Sequence, residues 1–321
     1  MQEARVLVPL QIEGTPPPWD QATHALQGLT MGTSWSVRLV APAELRLNIV
    51  EAAISRALDE VIAEMSHWEP DSALSRFNRA PAGSAHLLPE GFAAVMDAAL
   101  QIAQASGGAF DPTVSELVRQ WGFGPPGAVQ AARCDWRQLG WDGQRLTQSG
   151  TARLDLSAIA KGHAVDRVAQ ALNDWGIEHH LVEVGGELRG AGMKPDGQPW
   201  WVDLEAPEAD CALAPLRIAL HGVAIATSGD YRRFRIDDSG QRRSHSVDPR
   251  TGEPIAHGLA SVSVVHESAM WADGWSTALM VLGLEEGLQL AREQRLVARF
   301  VQRVETGFSE HFSPAMAELL E

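Results

Sequence analysis

Residues 271–277 constrain the fold most strongly, because they place one carboxylate and two hydroxyls between two apolar runs. Residues 260–265 before them read as a strand, and residues 278–282 after them as an apolar helix. Since residues three and four apart share a helix face, we predict that Asp273, Ser276 and Thr277 lie together in the first turn of a partly buried helix. Such hard oxygen atoms suit Mg²⁺. The same residues fit an alternative in which Asp273 is a helix N-cap and Thr277 a packing residue.

Composition limits the classes of function. The chain has 321 residues, of which 45% are hydrophobic, enough for a sizeable core in one large domain or two modest ones. Its 26 Lys and Arg face 41 Asp and Glu, a net charge of -15 without a long basic block, so we expect no nucleic-acid binding. Cys134 and Cys211 lie far apart and outside any CxxC spacing. They indicate neither a zinc site nor a disulfide framework, and we expect both to be small buried residues.

The first twelve residues bear on location. Their apolar run is short and is broken by Pro9, unlike the apolar region of a signal peptide. No stretch approaches the roughly 20 apolar residues that a membrane-spanning helix requires. We therefore expect a cytoplasmic protein with no membrane-spanning segment, and a periplasmic one if a leader precedes the given sequence.

Periodicity along the chain predicts the elements. Helical spacing covers residues 47–65, 89–105, 111–121 and 160–175, with a loop at 122–127. Strand patterns cover residues 33–40, 180–184, 200–204, 216–220 and 224–227, and residues 145–148 and 152–156 suggest a hairpin. Because strands mostly follow strands and helices are unevenly inserted, the pattern favours an α+β fold with a mostly antiparallel sheet and flanking helices.

Two motifs between helices and strands are candidates for ligand binding. Residues 107–113, GGAFDPT, follow a helix end, where the glycines fit a C-cap and Asp111 a turn. In residues 154–163, LDLSAIAKGH, Asp155 stands between apolar residues and small residues precede Lys161. Small residues let the backbone approach a ligand closely, and Lys161 can meet a phosphate as a point charge. The alternative is a strand-to-helix turn with a solvated lysine.

Two polar turns form the last candidate. Residues 227–231 and 244–252 follow strand-like segments, and together they bring hydroxyls, carboxylates and His245 into turns. A single histidine is more often structural than catalytic, so His245 is distinguished by its neighbourhood alone. Walker A, GxSxG, HExxH and Rossmann glycine patterns are absent from the sequence.

Taken in order, eight motifs strongly resemble the ApbE family of flavin transferases. They are MGTSWSV at 31–37, MSHWEPDSALSRFN at 65–78, GGAFDPTV at 107–114, LDLSAIAKGHAVD at 154–166, VEVGGELRGAG at 182–192, ATSGDYRRF at 226–234, SHSVDPRTGEPI at 244–255 and ADGWSTALMVLG at 272–283. The resemblance covers roughly residues 28 to 290. It implies a single ApbE-like domain at 28–321, preceded by an N-terminal extension at 1–27.

The resemblance implies an FAD:protein FMN transferase. Such an enzyme binds FAD and Mg²⁺, cleaves the pyrophosphate, transfers FMN as a phosphoester to a threonine of an acceptor protein and releases AMP. By motif position, the implied FAD contacts are Met31, Trp68, Ala109, Phe110, Asp111, Asp155, Lys161 and Val247, with Trp68 stacking on a ring. The implied metal ligands are Asp273, Ser276, Thr277 and the backbone carbonyl of Ala158.

Catalysis is assigned to Asp273 and His245. Displacement at phosphorus gains most from charge neutralisation and in-line positioning, which a metal at Asp273 provides. His245 is our candidate for accepting the attacking hydroxyl's proton or for steadying the phosphoryl oxygens. Two alternatives stay open: an FAD pyrophosphatase that uses water and yields FMN and AMP, and a non-catalytic FAD-binding flavin carrier. Asp273 and Thr277 argue against the carrier.

Overall fold

The computed structural model describes residues 5–9, 12, 14–18, 20–126, 134–208, 211–231, 234–237, 240 and 242–320. Within these ranges, the helices are α1 (Leu47–Met65), α2 (Ala73–Arg79), α3 (Glu90–Ala105), α4 (Ser115–Gln120), α5 (Ala160–Asp174), α6 (Ala269–Glu293) and α7 (Pro314–Glu318). In chain order, the strands of the same ranges are β1 (Arg5–Leu7), β2 (Ala22–Thr30), β3 (Thr33–Ala41), β4 (Ala85–Leu87), β5 (Gly140–Trp141), β6 (Arg145–Thr147), β7 (His180–Val184), β8 (Glu187–Ala191), β9 (Trp200–Asp203), β10 (Leu216–Leu220), β11 (Val223–Gly229), β12 (Phe234–Ile236), β13 (Arg242–Ser244), β14 (Val247–Asp248), β15 (Glu253–Pro254), β16 (Leu259–His266), β17 (Val297–Val304) and β18 (Gly307–Phe312).

An eight-stranded sheet is the framework of the molecule. Its order is β18-β17-β16-β11-β8-β7-β3-β2, and each neighbouring pair is antiparallel. Strand side chains alternate between the two faces, so that Val264 belongs to one core and Val265 to the other. Helices α1, α3, α5 and α6 pack over the first face, and the three-stranded sheet β1-β10-β9 with α7 covers the second. The predicted α+β class with a mostly antiparallel sheet is confirmed.

Helix α1 shows why the helical periodicity was readable. Its buried residues Val50, Ile54, Leu58, Val61 and Met65 recur at three- and four-residue intervals and form one stripe against the core. Predicted helices at 89–105 and 160–175 and the predicted strands at 33–40, 180–184, 200–204, 216–220, 224–227 and 260–265 are likewise confirmed within a residue or two at their ends. The helix predicted at 111–121 is shorter, since residues 111–114 form a turn before α4. The predicted loop is irregular as far as residue 126, and residue 127 lies outside the described ranges.

The predicted hairpin of residues 145–148 and 152–156 is wrong. Strand β6 pairs instead with β4 and β5. Residues 152–156 form no strand and make one isolated parallel bridge, between Arg153 and Val114. Asn78 satisfies the backbone of Leu154, donating to its carbonyl at 2.9 Å and accepting from its N–H at 2.7 Å. The apolar alternation there reflects burial in the helical core, where a side-chain amide takes the place of a partner strand.

The alternative that Asp273 caps a helix is also wrong. Helix α6 begins at Ala269, so Asp273 is its fifth residue and the cluster starts in the second turn. The prediction that the cluster lies in the first turn is therefore wrong as well. Ser268 is the N-cap and accepts a hydrogen bond from the Trp271 N–H at 3.4 Å. Because the capping function is taken by Ser268, the carboxylate of Asp273 is available for another partner.

The N-terminal strands belong to the sheets of the fold, and the two cysteines are free thiols. Strand β1 of the predicted N-terminal extension pairs with β10, and β2, which spans the predicted boundary at residue 27, pairs with β3. The division at residue 27 stays a prediction. Cys134 and Cys211 are free thiols and half-buried, less enclosed than expected. In the part of the chain that the structure describes, no helix is long and apolar enough to cross a membrane.

Asp166 in α5 anchors the start of α6, and its removal should destabilise the protein. Its carboxylate accepts hydrogen bonds from the Ala269 and Met270 N–H groups, both at 3.0 Å, and from the Ser268 hydroxyl at 2.6 Å, and it pairs with Arg189 at 2.5 Å. We expect Asp166→Ala to lower the free energy of unfolding by about 2 to 4 kcal/mol, since helix-start donors lose their acceptor. Urea unfolding measures this loss. The control Asp174→Ala, which removes an exposed carboxylate from the same helix, should change stability little; equal effects would show that Asp166 anchors nothing.

Candidate active site

The site is built where α5 crosses α6, at Gly162. A Cβ atom at Gly162 would lie 2.2 Å from the carbonyl oxygen of Ala269 and 2.8 Å from Cβ of Asp273, so no larger residue fits. This close approach lets the Gly162 N–H donate to Oδ2 of Asp273 at 3.0 Å. Gly162 was not among the predicted site residues. The sequence feature that could have identified it is its type, since a glycine inside a helix often allows another backbone to approach closely.

Lys161 lies between two buried carboxylates. Its Nζ is 2.5 Å from Oε1 of Glu187 and 4.0 Å from Oδ1 of Asp273. Both acidic residues are 3% exposed, whereas the lysine side chain is 32% exposed. Burial raises the pKa of both carboxyl groups, and the ammonium of Lys161 opposes that rise. Lys161 is therefore the counter-charge of a buried acidic pair and not a solvated helix lysine.

A group of three hydroxyls, those of Ser228, Ser276 and Thr277, lies next to the backbone of Asp273. The Ser228 hydroxyl, from β11, is 2.8 Å from that of Ser276 and 3.0 Å from that of Thr277. Ser276 is fully buried and donates to the backbone carbonyl of Asp273 at 2.9 Å. The predicted trio of Asp273, Ser276 and Thr277 is thus brought together, and Ser228 is a fourth member that the sequence reading did not single out.

These groups fit a hard divalent cation. Ala158, the fourth predicted ligand, lies half-buried in the turn of residues 157–159 directly before α5. Over the described ranges, no three His, Cys, Asp or Glu side chains converge as a metal cluster. A cation here would have one carboxylate and several neutral oxygens as donors, which suits Mg²⁺ because that ion usually keeps several waters. Burial raises the pKa of Asp273, and a nearby cation would stabilise the ionised form of this carboxylate.

His67 contacts both Asp155 and Trp68. Oδ1 of Asp155 lies 3.4 Å from Nδ1 of His67 and accepts a hydrogen bond from the Ser157 N–H at 2.9 Å. Burial alone would raise the pKa of Asp155, but the charge and hydrogen bond of His67 and the hydrogen bonds of Ser157 lower it to about 2. The indole of Trp68 is 59% exposed, with its centroid 5.5 Å from that of His67. An open aromatic face therefore lies beside an ionised carboxylate.

The motif at 107–113 forms a helix C-cap and a turn, as its glycines and Asp111 predict. Gly107 and Gly108 have φ of 62° and 88° and end α3. Asp111 accepts hydrogen bonds from the N–H and hydroxyl of Thr113 at 2.8 and 2.7 Å and from the Trp136 N–H at 3.2 Å. Ala109 and Phe110 are buried. The predicted contacts of these three residues with FAD stay predictions.

Met31 lies at a hairpin turn that reaches the lysine. The turn joins β2 to β3 through Met31 and Gly32, with φ of 48° and 70°. An open cavity of about 440 Å³ is lined by Leu29, Thr30, Met31, Gly32 and Thr33. A Cβ atom at Gly185 would lie 3.0 Å from Cγ2 of Thr33 and 3.3 Å from Cδ of Lys161, so the hairpin tip adjoins the Lys161 stem. Gly185 therefore lies between the Lys161 stem and Thr33, which directly follows the turn of Met31 and Gly32.

His245 and Val247 lie just before a tight turn at residues 248–252. His245 follows β13, and its ring stands edge-on to Phe123 with centroids 6.2 Å apart. Val247 is buried in β14, which packs against α6. The next residue, Asp248, organises the turn by accepting the Gly252 N–H on its carbonyl at 2.8 Å. The roles of His245 in proton transfer and of Val247 in FAD binding stay predictions.

The pair of His67 and Asp155 predicts a pH dependence of stability. Burial alone would lower the pKa of His67, but the Asp155 carboxylate raises it above its ordinary value. A raised histidine pKa stabilises the fold fully below the unfolded value of about 6.5, and that contribution is lost as pH rises through the folded pKa. The lowered pKa of Asp155 contributes above an unfolded value of about 3.9 and is lost only as pH falls toward about 2. The pair should therefore stabilise most between about pH 4 and 6.5.

Urea unfolding of the wild type and of His67→Gln between pH 5 and 8.5 measures this effect. The stability advantage of the wild type should shrink as pH rises. In an Asp155→Asn background the pH dependence of the same comparison should reverse, because burial then lowers the pKa of His67. An advantage that is constant across the range would contradict the assigned ion pair.

Comparison with known proteins shows the family of the chain. The family model described as "ApbE family" matches residues 31–300. The chain is 36% identical to the FAD:protein FMN transferase of Klebsiella pneumoniae, over 92% of this chain and 89% of that protein. It is 36% identical to the FAD:protein FMN transferase of Vibrio cholerae, over 92% of each chain.

Solved structures give the same result. The flavinyl transferase ApbE of Pseudomonas stutzeri, in its apo form, superposes with a TM-score of 0.85 at 37% identity, covering 94% of this chain and 97% of that one. The flavin transferase ApbE of Vibrio cholerae gives a TM-score of 0.84 at 34% identity, covering 93% and 99%. The matched region includes every predicted site residue. On this sequence and structural similarity, the chain belongs to the ApbE family.

Proposed function

We propose that this protein is an FAD:protein FMN transferase, which moves FMN from FAD to a threonine of an acceptor protein and releases AMP. The observation that carries the proposal is the approach of Lys161 to Asp273, 4.0 Å apart at the crossing of α5 and α6, with Thr277 one helical turn after Asp273 in α6. The names of the relatives from Klebsiella pneumoniae and Vibrio cholerae support it.

The reaction is a displacement at phosphorus. The acceptor hydroxyl oxygen forms a bond to the phosphorus of the FMN half, and the bond from that phosphorus to the oxygen bridging to AMP breaks. AMP leaves with that oxygen, and the proton of the hydroxyl passes to a base. Since negative charge is spread over the phosphoryl oxygens, catalysis depends on placing positive charge and on alignment. Lys161 brings the ammonium to this site, and its partial exposure leaves it open to a diphosphate.

Asp273, Ser276, Thr277 and the carbonyl of Ala158 would hold Mg²⁺. When bound, Mg²⁺ neutralises charge on the diphosphate oxygens. The Gly162 N–H holds one oxygen of Asp273, and Ser228 holds the hydroxyls of Ser276 and Thr277. These hydrogen bonds fix the donors before any ligand arrives, so little ordering cost remains for binding.

The remaining residues orient the flavin and the acceptor. Trp68 offers an exposed indole face on which a ring of FAD can stack, and Met31 lies at the turn that adjoins the Lys161 stem. His245 accepts the proton of the acceptor threonine, because imidazole exchanges protons near neutral pH. Asp155, ionised beside His67, is suited to accept hydrogen bonds from FAD.

Two other functions would use parts of the same site. A pyrophosphatase would direct water in place of the threonine, with the same charged groups. A flavin carrier would bind FAD without cleaving it. The carrier is disfavoured because two carboxylates buried beside one lysine are costly to retain where no chemistry requires them.

One assay separates the three functions. The protein is incubated with FAD, Mg²⁺ and a threonine-containing acceptor domain, and the products are resolved by gel fluorescence and chromatography. Covalent flavin on the acceptor together with AMP is expected. Free FMN and AMP without labelled acceptor would indicate the pyrophosphatase, and intact FAD the carrier. Replacing the target threonine of the acceptor with valine should abolish the label, and a label that persists would overturn the threonine assignment.

A further inference from the structure

Glu187 is a buried carboxylate that the proposed chemistry does not yet use. It is the first residue of β8, directly after the turn at Gly185 and Gly186. Its Oε1 is 2.5 Å from Nζ of Lys161, and its Oε2 is buried with no hydrogen-bond partner. A carboxylate buried in this way costs free energy unless an opposite charge compensates it. The ammonium of Lys161 is that charge.

Two carboxylates compete for this one ammonium. Nζ of Lys161 lies 2.5 Å from Glu187 but 4.0 Å from Asp273, so Glu187 holds the closer ion pair. The lysine stem is flexible, and its partly exposed side chain could rotate toward either acid. A Cβ atom at position 185 would lie 3.3 Å from Cδ of Lys161, so the glycine there leaves room for the lysine stem.

We propose that Glu187 is a positioning residue, which holds Lys161 away from Asp273 so that the Asp273 carboxylate stays available to a divalent cation and the ammonium faces the FAD diphosphate. This inference rests on the proposed function for the identity of its ligands. Without Glu187, the ammonium closes onto the Asp273 carboxylate, whose Oδ1 already lies 4.0 Å away, and there it competes with the cation. Removing the lysine as well should then free Asp273 again.

The test is a double-mutant cycle read by metal binding without FAD. Mn²⁺ serves as the probe, and electron paramagnetic resonance measures its affinity for the intact protein. We expect Glu187→Gln to weaken Mn²⁺ binding by about tenfold or more. Lys161→Met, which removes the competing ammonium, should bind Mn²⁺ at least as well as the wild type. In the double variant, Glu187→Gln should cost no further affinity, because there is no ammonium left to misplace.

A second arm of the cycle measures FAD. In the presence of a chelator, quenching of flavin fluorescence reports FAD affinity without metal. Glu187→Gln should weaken FAD binding by several-fold in the wild type and not in the Lys161→Met background, because the carboxylate acts through the lysine. Glu187→Asp, which keeps the charge but withdraws it by one methylene, should fall between the wild type and Glu187→Gln in both arms.

Controls separate positioning from charge and from folding. Glu183→Gln makes the same substitution at the other end of the Gly185 turn, where the side-chain oxygen accepts the Gly186 N–H at 2.8 Å, and it should leave Mn²⁺ affinity unchanged. Circular dichroism and the melting temperature verify that each variant folds. An equal loss of Mn²⁺ affinity with and without Lys161 would show a general charge effect and overturn the proposal, as would no loss at all. If the cycle shows rescue while the wild type labels no acceptor, the proposed function fails and the positioning of Lys161 stands.

Discussion

Replacing Asp273 with asparagine is expected to slow FMN transfer by about 10³-fold or more, since several kcal/mol of transition-state stabilisation depend on a cation at this carboxylate. FAD affinity should fall much less, because Lys161 and Trp68 stay in place. Stability at neutral pH should not drop with the activity: burial already raises the pKa of Asp273, so the fold disfavours its charged form. The asparagine oxygen can still accept the Gly162 N–H.

Transfer rates at limiting and saturating Mg²⁺, with the FAD dissociation constant and the melting temperature, test this prediction. The control Glu267→Gln removes an exposed carboxylate just before α6 and makes the same change in net charge. It should behave like the wild type in all three measurements. Turnover by Asp273→Asn at the wild-type rate in limiting Mg²⁺ would disprove the metal assignment.

Changing His245 to alanine should reduce FMN transfer by about 10²-fold, the usual scale for a lost general acid or base, with FAD affinity close to unchanged. The physical reason is that His245 would act on the acceptor hydroxyl and not on bound FAD. A purely structural histidine predicts a different pattern, in which the melting temperature and FAD affinity fall together with the rate.

His86 offers a matched control for this variant. Its ring also stands edge-on to a phenylalanine, with its centroid 5.5 Å from that of Phe77, but it belongs to β4 in the small sheet with β5 and β6. His86→Ala should leave transfer unaffected after any loss of stability is allowed for. An unimpaired transfer rate in His245→Ala would remove this histidine from the mechanism.

Helices and strands could be predicted from the sequence where their burial pattern repeats between residues close along the chain. Strand β7 and helix α1 were readable because burial of alternate residues, or of one residue in three or four, is itself a local pattern. The segment at 152–156 was misread because the same alternation arises when a chain is buried among helices and a distant asparagine, Asn78, satisfies its backbone. Likewise Asp273 looked like a cap until Ser268 and Asp166 were seen to occupy the start of α6.

Some residues of the candidate site could be predicted from the sequence and others could not. The residue types at Lys161, Asp273, Ser276 and Thr277 were recognisable because phosphate and Mg²⁺ chemistry needs an ammonium, a carboxylate and hydroxyls. Glu187 and Ser228 were missed as participants, although both lie in motifs that were noticed, because neither is near its partner along the chain. Glu187 has a weak signal, a single acid that follows two glycines at the start of a buried strand.

By itself, the sequence determined the α+β class, most of the periodic helices and strands, the family and the residues of the candidate site. The tertiary structure alone decided their partnerships. The Gly162 N–H meets a carboxylate 111 residues away, and the Ser228 hydroxyl meets Ser276 and Thr277 across 48 and 49 residues. Periodicity reports which face of an element is buried, whereas an ion pair or a close helix crossing depends on which two buried faces meet. That choice is made by packing the whole chain, where Gly162 lets α5 and α6 approach and Glu187 takes the ammonium that Asp273 would otherwise bind.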